Sequence, residues 1–223
     1  MRKTQQHLIL YDLHQGSGTY LNTNNITGFE SGWSHVHLDM TADDSYLIVG
    51  TNGLKVYVIS YDGSAFTLAQ TITITDDVNT TGNGNLYASI TDDHQYLIIP
   101  VERSTADYRI DFYSFNAGSG QFESLNFTNQ FISVDPILSN QMSESKEFFA
   151  VTTTSSTKLY RNPLTDGDNN LIATLPGGDS NKFSKNSEFL YINSGSTMMV
   201  YQQVCDEGFA LMGGTCESLN ITV

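Results

Sequence analysis

Cysteine is nearly absent from this sequence, with Cys205 and Cys216 the only two in 223 residues. No dense disulfide framework can therefore hold the fold, and stability has to come from a packed core, which a chain of this length is large enough to bury. One domain over most of the chain is the expectation, since all-β folds of this size are commonly single domains. Charge is scarce, at 15% of residues, and one-sided: 10 basic against 24 acidic side chains give a net charge of −14. Such a field repels phosphate backbones and anionic lipid headgroups, so nucleic acid and membrane surfaces are poor partners. No run approaches the ~18 apolar residues that span a bilayer, so direct membrane insertion of this segment is not expected. The basic start at Arg2-Lys3 is followed only by Leu8-Ile9-Leu10 before Tyr11-Asp12. That is too short for a signal-peptide core, which leaves a cytosolic protein or part of a longer chain. Nucleophile elbows, His-Glu-x-x-His helices, phosphate loops and dinucleotide fingerprints are also missing. No catalytic residue and no cofactor is assigned.

What the chain does have is abundant Ser, Thr, Asn and Gly between β-branched and aromatic runs, a composition suited to short strands and frequent turns. One phrase recurs: a polar turn, an aromatic-apolar strand, a second turn and another strand. It reads Met40-Thr41-Ala42-Asp43-Asp44-Ser45-Tyr46-Leu47-Ile48-Val49, then Ile90-Thr91-Asp92-Asp93-His94-Gln95-Tyr96-Leu97-Ile98-Ile99. Shorter echoes start at Ser143 and Ser184. The aromatic anchors Tyr46, Tyr96, Phe148 and Phe189 are 50, 52 and 41 residues apart, close to the ~40–50 residues of a four-stranded propeller blade. Strands this short, joined by tight turns, pair as antiparallel meanders that cannot cover both of their own faces. The expected fold is thus all-β: four to five four-stranded blades over residues 1–203, alone or as part of a larger ring, with 204–223 as a separate tail. The amino terminus enters partway through the scheme, with His7–Leu13 and Thr19–Leu21 flanking the Gly16-Ser17-Gly18 turn as the outer half of a blade.

These phrases, together with Val56-Tyr57-Val58-Ile59-Ser60-Tyr61-Asp62-Gly63, resemble β-propellers of the YVTN, lactonase-like and WD40-like kinds over most of residues 7–203. The chain departs from the WD40 pattern in having no Trp-Asp dipeptide and a single Trp, Trp33. Its composition is also similar to that of propeller segments in ciliate surface proteins. A lactonase-like resemblance implies a hydrolase with channel-facing polar residues, and a WD40-like one implies an intracellular protein-interaction scaffold.

The glycines at 208, 213 and 214 let the backbone double back between the two cysteines, so Cys205 and Cys216 could form a disulfide. The alternative is two free thiols on the last strands of a blade. The spelling Cys205-Asp206-Glu207-Gly208 is similar to the first loop of extracellular Cys-rich modules of the EGF or growth-factor-receptor kind, which implies an oxidising compartment.

Other candidate sites are few. His35-Val36-His37 places two imidazoles on one strand face, near Trp33 and Asp39, as a metal or channel-mouth pair. Ordinary strand histidines are the other reading. Asp166-Gly167-Asp168-Asn169-Asn170 resembles the opening of a calcium loop but has Leu171 and Gly177 where that loop needs Gly and Glu. An Asp-rich turn explains it equally. Glycosylation sequons fall at Asn25, Asn79, Asn126 and Asn220. The expectation is a non-catalytic binding or adhesion module of a secreted or cell-surface glycoprotein with a protein or glycan ligand. The lactonase-like hydrolase and the cytoplasmic scaffold are the alternatives.

Overall fold

A computed structural model describes residues 6–14, 19–29, 36–51, 54–74, 87–104, 107–125, 131–161, 163–166, 170–203, 209–212 and 215–218. The chain is all-β, as its composition indicates, with a single described helical turn, α1 at Pro163–Asp166. No described helix is long and apolar enough to cross a membrane.

The repeated phrases form consecutive antiparallel sheets. The first is a hairpin of β1 (Gln6–His14) and β2 (Thr19–Phe29), where the outer half of a blade was expected. Next comes a four-stranded meander of β3 (Val36–Met40), β4 (Tyr46–Thr51), β5 (Lys55–Tyr61) and β6 (Phe66–Thr73). The third sheet orders β7 (Ser89–Ile90), β8 (Tyr96–Ser104), β9 (Asp107–Asn116) and β10 (Gln121–Ser124), with β11 (Phe131–Ser133) also pairing β9. The fourth contains β12 (Ile137–Met142), β13 (Phe148–Thr153), β14 (Ser156–Arg161) and β15 (Leu171–Pro176). The fifth has three described strands, β16 (Ser180–Phe183), β17 (Phe189–Ser194) and β18 (Thr197–Gln202). A last hairpin joins β19 (Phe209–Met212) to β20 (Thr215–Ser218). The stretch Glu102 to Asp107 is largely strand: β8 and β9 run far into it, leaving only 105 and 106 between them. The β-branched and aromatic residues on either side explain its pairing.

Every sheet from β3 to β18 opens with the same five-residue turn, and its chemistry explains the repeat. A hydroxyl residue leads: Thr41, Thr91, Ser143 or Ser184. Its side-chain oxygen accepts the N–H of the aromatic anchor at 3.0, 3.0, 3.0 and 2.9 Å, for Tyr46, Tyr96, Phe148 and Phe189 in turn. The third residue folds its side chain back on the turn. Asp43 accepts from Ser45, Asp93 from Gln95, and Asn186 from Glu188. The fourth residue, Asp44, His94, Lys146 or Ser187, has φ of 60, 50, 62 and 60°, the left-handed region that non-glycine residues seldom adopt. The Asp43-Asp44 and Asp92-Asp93 pairs thus belong to turns.

The chain divides into two compact units. One comprises residues 1–76, 83–97 and 114–123, the other 77–82, 98–113 and 124–223. In the first, Leu47, Val49, Tyr57 and Ile59 form a core against which Phe66 and Leu68 of β6 pack. In the second, Phe112, Phe149 and Tyr160 centre one cluster, and Phe148, Phe183, Leu190 and Ile192 another. β13 is buried along its whole length, as a strand packed on both faces must be.

Asp43 makes the stability of the first unit acid-sensitive. Ser45 donates its hydroxyl and its N–H to the carboxylate, and Thr41 and His94 add smaller contributions, so the Asp43 pKa falls from 3.8 to about 2. A depressed carboxylate pKa stabilises the fold above the unfolded value, and that contribution is lost as pH falls from about 4 to about 2. Urea melts between pH 5 and 2 should show an acid-dependent loss in the native chain that Asp43→Asn flattens. The site is exposed, so the difference is below about 1 kcal/mol. Parallel pH profiles for the two proteins would remove Asp43 as the cause.

Candidate functional site

His35 lies outside the described residues. His37, on β3, places Nδ1 3.1 Å from the Ala88 carbonyl, so Nδ1 carries the proton in that contact, and its ring meets Tyr87 edge-on at 5.5 Å. Two residues on, Asp39 accepts the Ile90 N–H at 2.9 Å. Both side chains therefore bind the backbone at the start of the next sheet.

The second unit repeats this arrangement with different residue types. Four and two residues before the turn hydroxyl Ser143 stand Ser139 and Gln141, the positions His37 and Asp39 hold before Thr41. Ser139 accepts the Asn181 N–H at 3.2 Å and Gln141 accepts the Phe183 N–H at 2.7 Å. Asn181 adds bonds to the Ser139 carbonyl and to Thr152, at 3.3 and 2.8 Å. A role shared by His, Ser, Asp and Gln is one of sheet-to-sheet linkage, because what the position requires is a polar atom at the right distance. Among the described residues no three His, Cys, Asp or Glu side chains converge to hold a metal ion. Asp166 ends α1, and Asp168 lies outside the described residues, as do Asn79, Asn126, Asn220 and Cys205. Asn25 sits within β2 opposite Ile9. Cys216 sits in β20 opposite Leu211.

A different place has the geometry of a binding site. Between β12–β15 and β16–β18, inside the second unit, a groove of about 200 Å³ is lined by Phe148, Leu159, Ile172, Phe183, Phe189 and Tyr201. Arg161 lies at its rim, with its guanidinium 5.4 Å from the centre of the Phe148 ring and Nε 3.4 Å from Glu147. The corresponding position in the first unit is filled. There the anchor Tyr46 is covered by His94, Phe115 and Phe122, with ring centres 5.3, 5.8 and 6.2 Å away. Phe122 comes from β10, the fourth strand of its sheet, and is 3% exposed. The β16–β18 sheet has no fourth strand among the described residues, so the groove has no counterpart of Phe122, while Phe148 itself is buried against Phe183, Leu190 and Ile192.

The same missing strand leaves β18 with a free edge among the described residues. Met198 and Val200 on that strand are 64% and 51% exposed, and Leu171 and Ile172 of β15 are 44% and 49% exposed. An apolar strand with one unpaired side is a template for a further strand. Sequence reasoning missed this site, because it depends on which strand is absent from a sheet and not on any motif.

No family model matches the sequence, and no curated protein matches it. Among solved structures, the chain is similar to the crystal structure of a candidate 6-phosphogluconolactonase from Bacteroides uniformis, with a TM-score of 0.63 at 12% identity. The fold is a β-propeller. The match covers 96% of this chain and 64% of that protein, so this chain spans less than two thirds of the other's length. At that identity the likeness defines the architecture of this propeller and leaves its chemistry open.

Proposed function

We propose that this propeller is a non-catalytic recognition module that takes an extended, aromatic-bearing segment of a partner protein along β18, with its side chains in the adjoining groove. The observation that carries the reading is the coincidence, among the described residues, of an open strand edge with an apolar, aromatic-lined groove beside it. A polypeptide suits both features: its backbone N–H and C=O groups satisfy the strand edge, and alternate side chains fill the groove. A glycan would leave the edge unsatisfied. The polar residues that a hydrolase would draw on, His37 and Asp39, already bind backbone. The setting we propose is a secreted or cell-surface glycoprotein, in keeping with the four sequons and the cysteine pair. Reduced thiols and bare asparagines in the native protein would move it inside the cell.

The test uses a fluorescent peptide spanning Phe66–Thr73, the chain's own fourth-strand sequence, titrated with the full chain. Saturable binding is expected with a Kd on the order of 100 µM or tighter. Ile172→Asp, at the exposed edge of the groove, should weaken it about tenfold or more by placing a carboxylate against apolar surface. Absence of binding, or binding unchanged by Ile172→Asp, contradicts the reading.

The second reading is a hydrolase acting on sugar lactones, favoured by the description of the structural neighbour as a candidate 6-phosphogluconolactonase.

A further inference from the structure

We infer that the first unit carries a docking surface of its own, independent of the groove: the face of β3 that bears Leu38 and Met40 takes a β-hairpin from another polypeptide. An Asp, Asn or Gln side chain on the hairpin's first strand accepts the Met40 N–H.

The internal repeat carries the argument, because it shows what this face binds where it recurs. Met40 and Leu38 stand one and three residues before the turn hydroxyl Thr41. The same two positions before Thr91, Ser143 and Ser184 are buried, at 9% exposure or less, whereas Leu38 and Met40 are 51% and 46% exposed. Thr41 donates its N–H to the Tyr46 carbonyl at 3.0 Å, and alternate N–H groups of an antiparallel strand face its partner. The N–H groups of Leu38 and Met40 therefore point away from β4. In later sheets the equivalent N–H groups bond side chains of the preceding sheet: Asp39 accepts that of Ile90, Gln141 that of Phe183 and Ser139 that of Asn181. Among the described residues no side chain accepts those of Leu38 and Met40.

The size of the occupant follows from β1 and β2. β2 lies against β6, and β6 is tied to β10 through Gln70. β2 thus holds the place of a fourth strand beside the β3–β6 sheet, and β1, paired with it, that of a third. Among the described residues the other edge of β1 has no strand. Two further strands match the four of β3–β6: the second adds to the β1 edge and the first lies along β3. A second copy of this chain lacks a suitable pair. In its last sheet Lys182 stands where Asp39 and Gln141 do, and an ammonium group only donates. Asp39 and Gln141 are engaged within the chain, and Ser89, at the same position, is buried.

The probe is a fluorescent synthetic hairpin of Val36–Thr51, whose Asp39 is the chain's own version of the acceptor, titrated with the full chain. Saturable binding is expected with a Kd on the order of 100 µM or tighter. Asp39→Leu in the peptide and Met40→Lys in the chain should each weaken it about tenfold or more. Ile172→Asp, at the groove, should leave it unchanged. A urea melt of Met40→Lys that matches the native one shows that the variant is folded; if it does not, Leu38→Lys on the same face takes its place. Absence of binding, or binding that neither Asp39→Leu nor the β3 variant weakens, overturns the inference. Binding lost in Ile172→Asp assigns the peptide to the groove, which also overturns it and leaves the proposed function standing. A native dimer in sedimentation equilibrium that Met40→Lys dissociates gives the face to a second copy and overturns the separate partner.

Discussion

Phe149→Ala should lower the unfolding free energy by about 3–5 kcal/mol, the largest loss expected from any single change in this chain. Phe149 is 0% exposed on β13, with the Phe112 ring centre 5.3 Å away and that of Tyr160 at 6.4 Å. β13 is buried on both faces, so the surrounding side chains have little room to relax into the space vacated. The loss combines the transfer free energy of the ring with the cost of the remaining cavity, and at this chain length it should lower Tm by about 2–4 °C per kcal/mol. Urea denaturation of both proteins measures it directly. A loss below about 1 kcal/mol would mean that the Phe112–Phe149–Tyr160 cluster is not the core of its unit.

Gln70→Leu is expected to cost about 2–3 kcal/mol although it removes no apolar contact and keeps a side chain of similar length. Gln70 lies on the inward face of β6, between Leu68 and Ile72. Its amide closes both bonds with Phe122 on β10: Nε2 donates to the carbonyl at 2.9 Å, and Oε1 accepts the N–H at 2.8 Å. The side chain thereby acts as a missing residue of backbone between two fourth strands. Leucine would leave a buried N–H and C=O without partners, and the cost is mainly their desolvation. Gln70→Glu keeps the acceptor and loses the donor, so it should fall between leucine and the native residue. Equal stability of all three proteins would make the link incidental.

The turn hydroxyls, the inner-strand side chains and Gln70 show what the sequence makes legible and what it hides. Tyr46, Tyr96, Phe148 and Phe189 are readable as anchors because each stands a fixed distance beyond a Ser or Thr, and that spacing reflects one hydrogen bond repeated four times. The blades follow from that period. The left-handed φ at Asp44, His94, Lys146 and Ser187 is not readable, because no glycine marks it. The bonding around the turn holds the backbone there.

His37 and Asp39 draw attention as chemically capable residues, yet their counterparts Ser139 and Gln141 do the same work. Only the contacts reveal that the four side chains share a hydrogen-bonding role at the start of the next sheet. The groove is hidden for a further reason. Phe148 reads the same as Tyr46 in sequence, and the difference is that Phe122 of a fourth strand packs on Tyr46, whereas Phe148 is buried by residues of β16 and β17 and borders the groove.

The most direct test of recognition against catalysis is hydrolysis of 6-phosphogluconolactone by the full chain, followed by proton release against the uncatalysed rate. The account predicts no acceleration at any protein concentration, with the Phe66–Thr73 peptide binding in the same buffer. A rate that rises in proportion to protein and falls on Asp39→Asn would contradict it and make the inner-strand residues an active site.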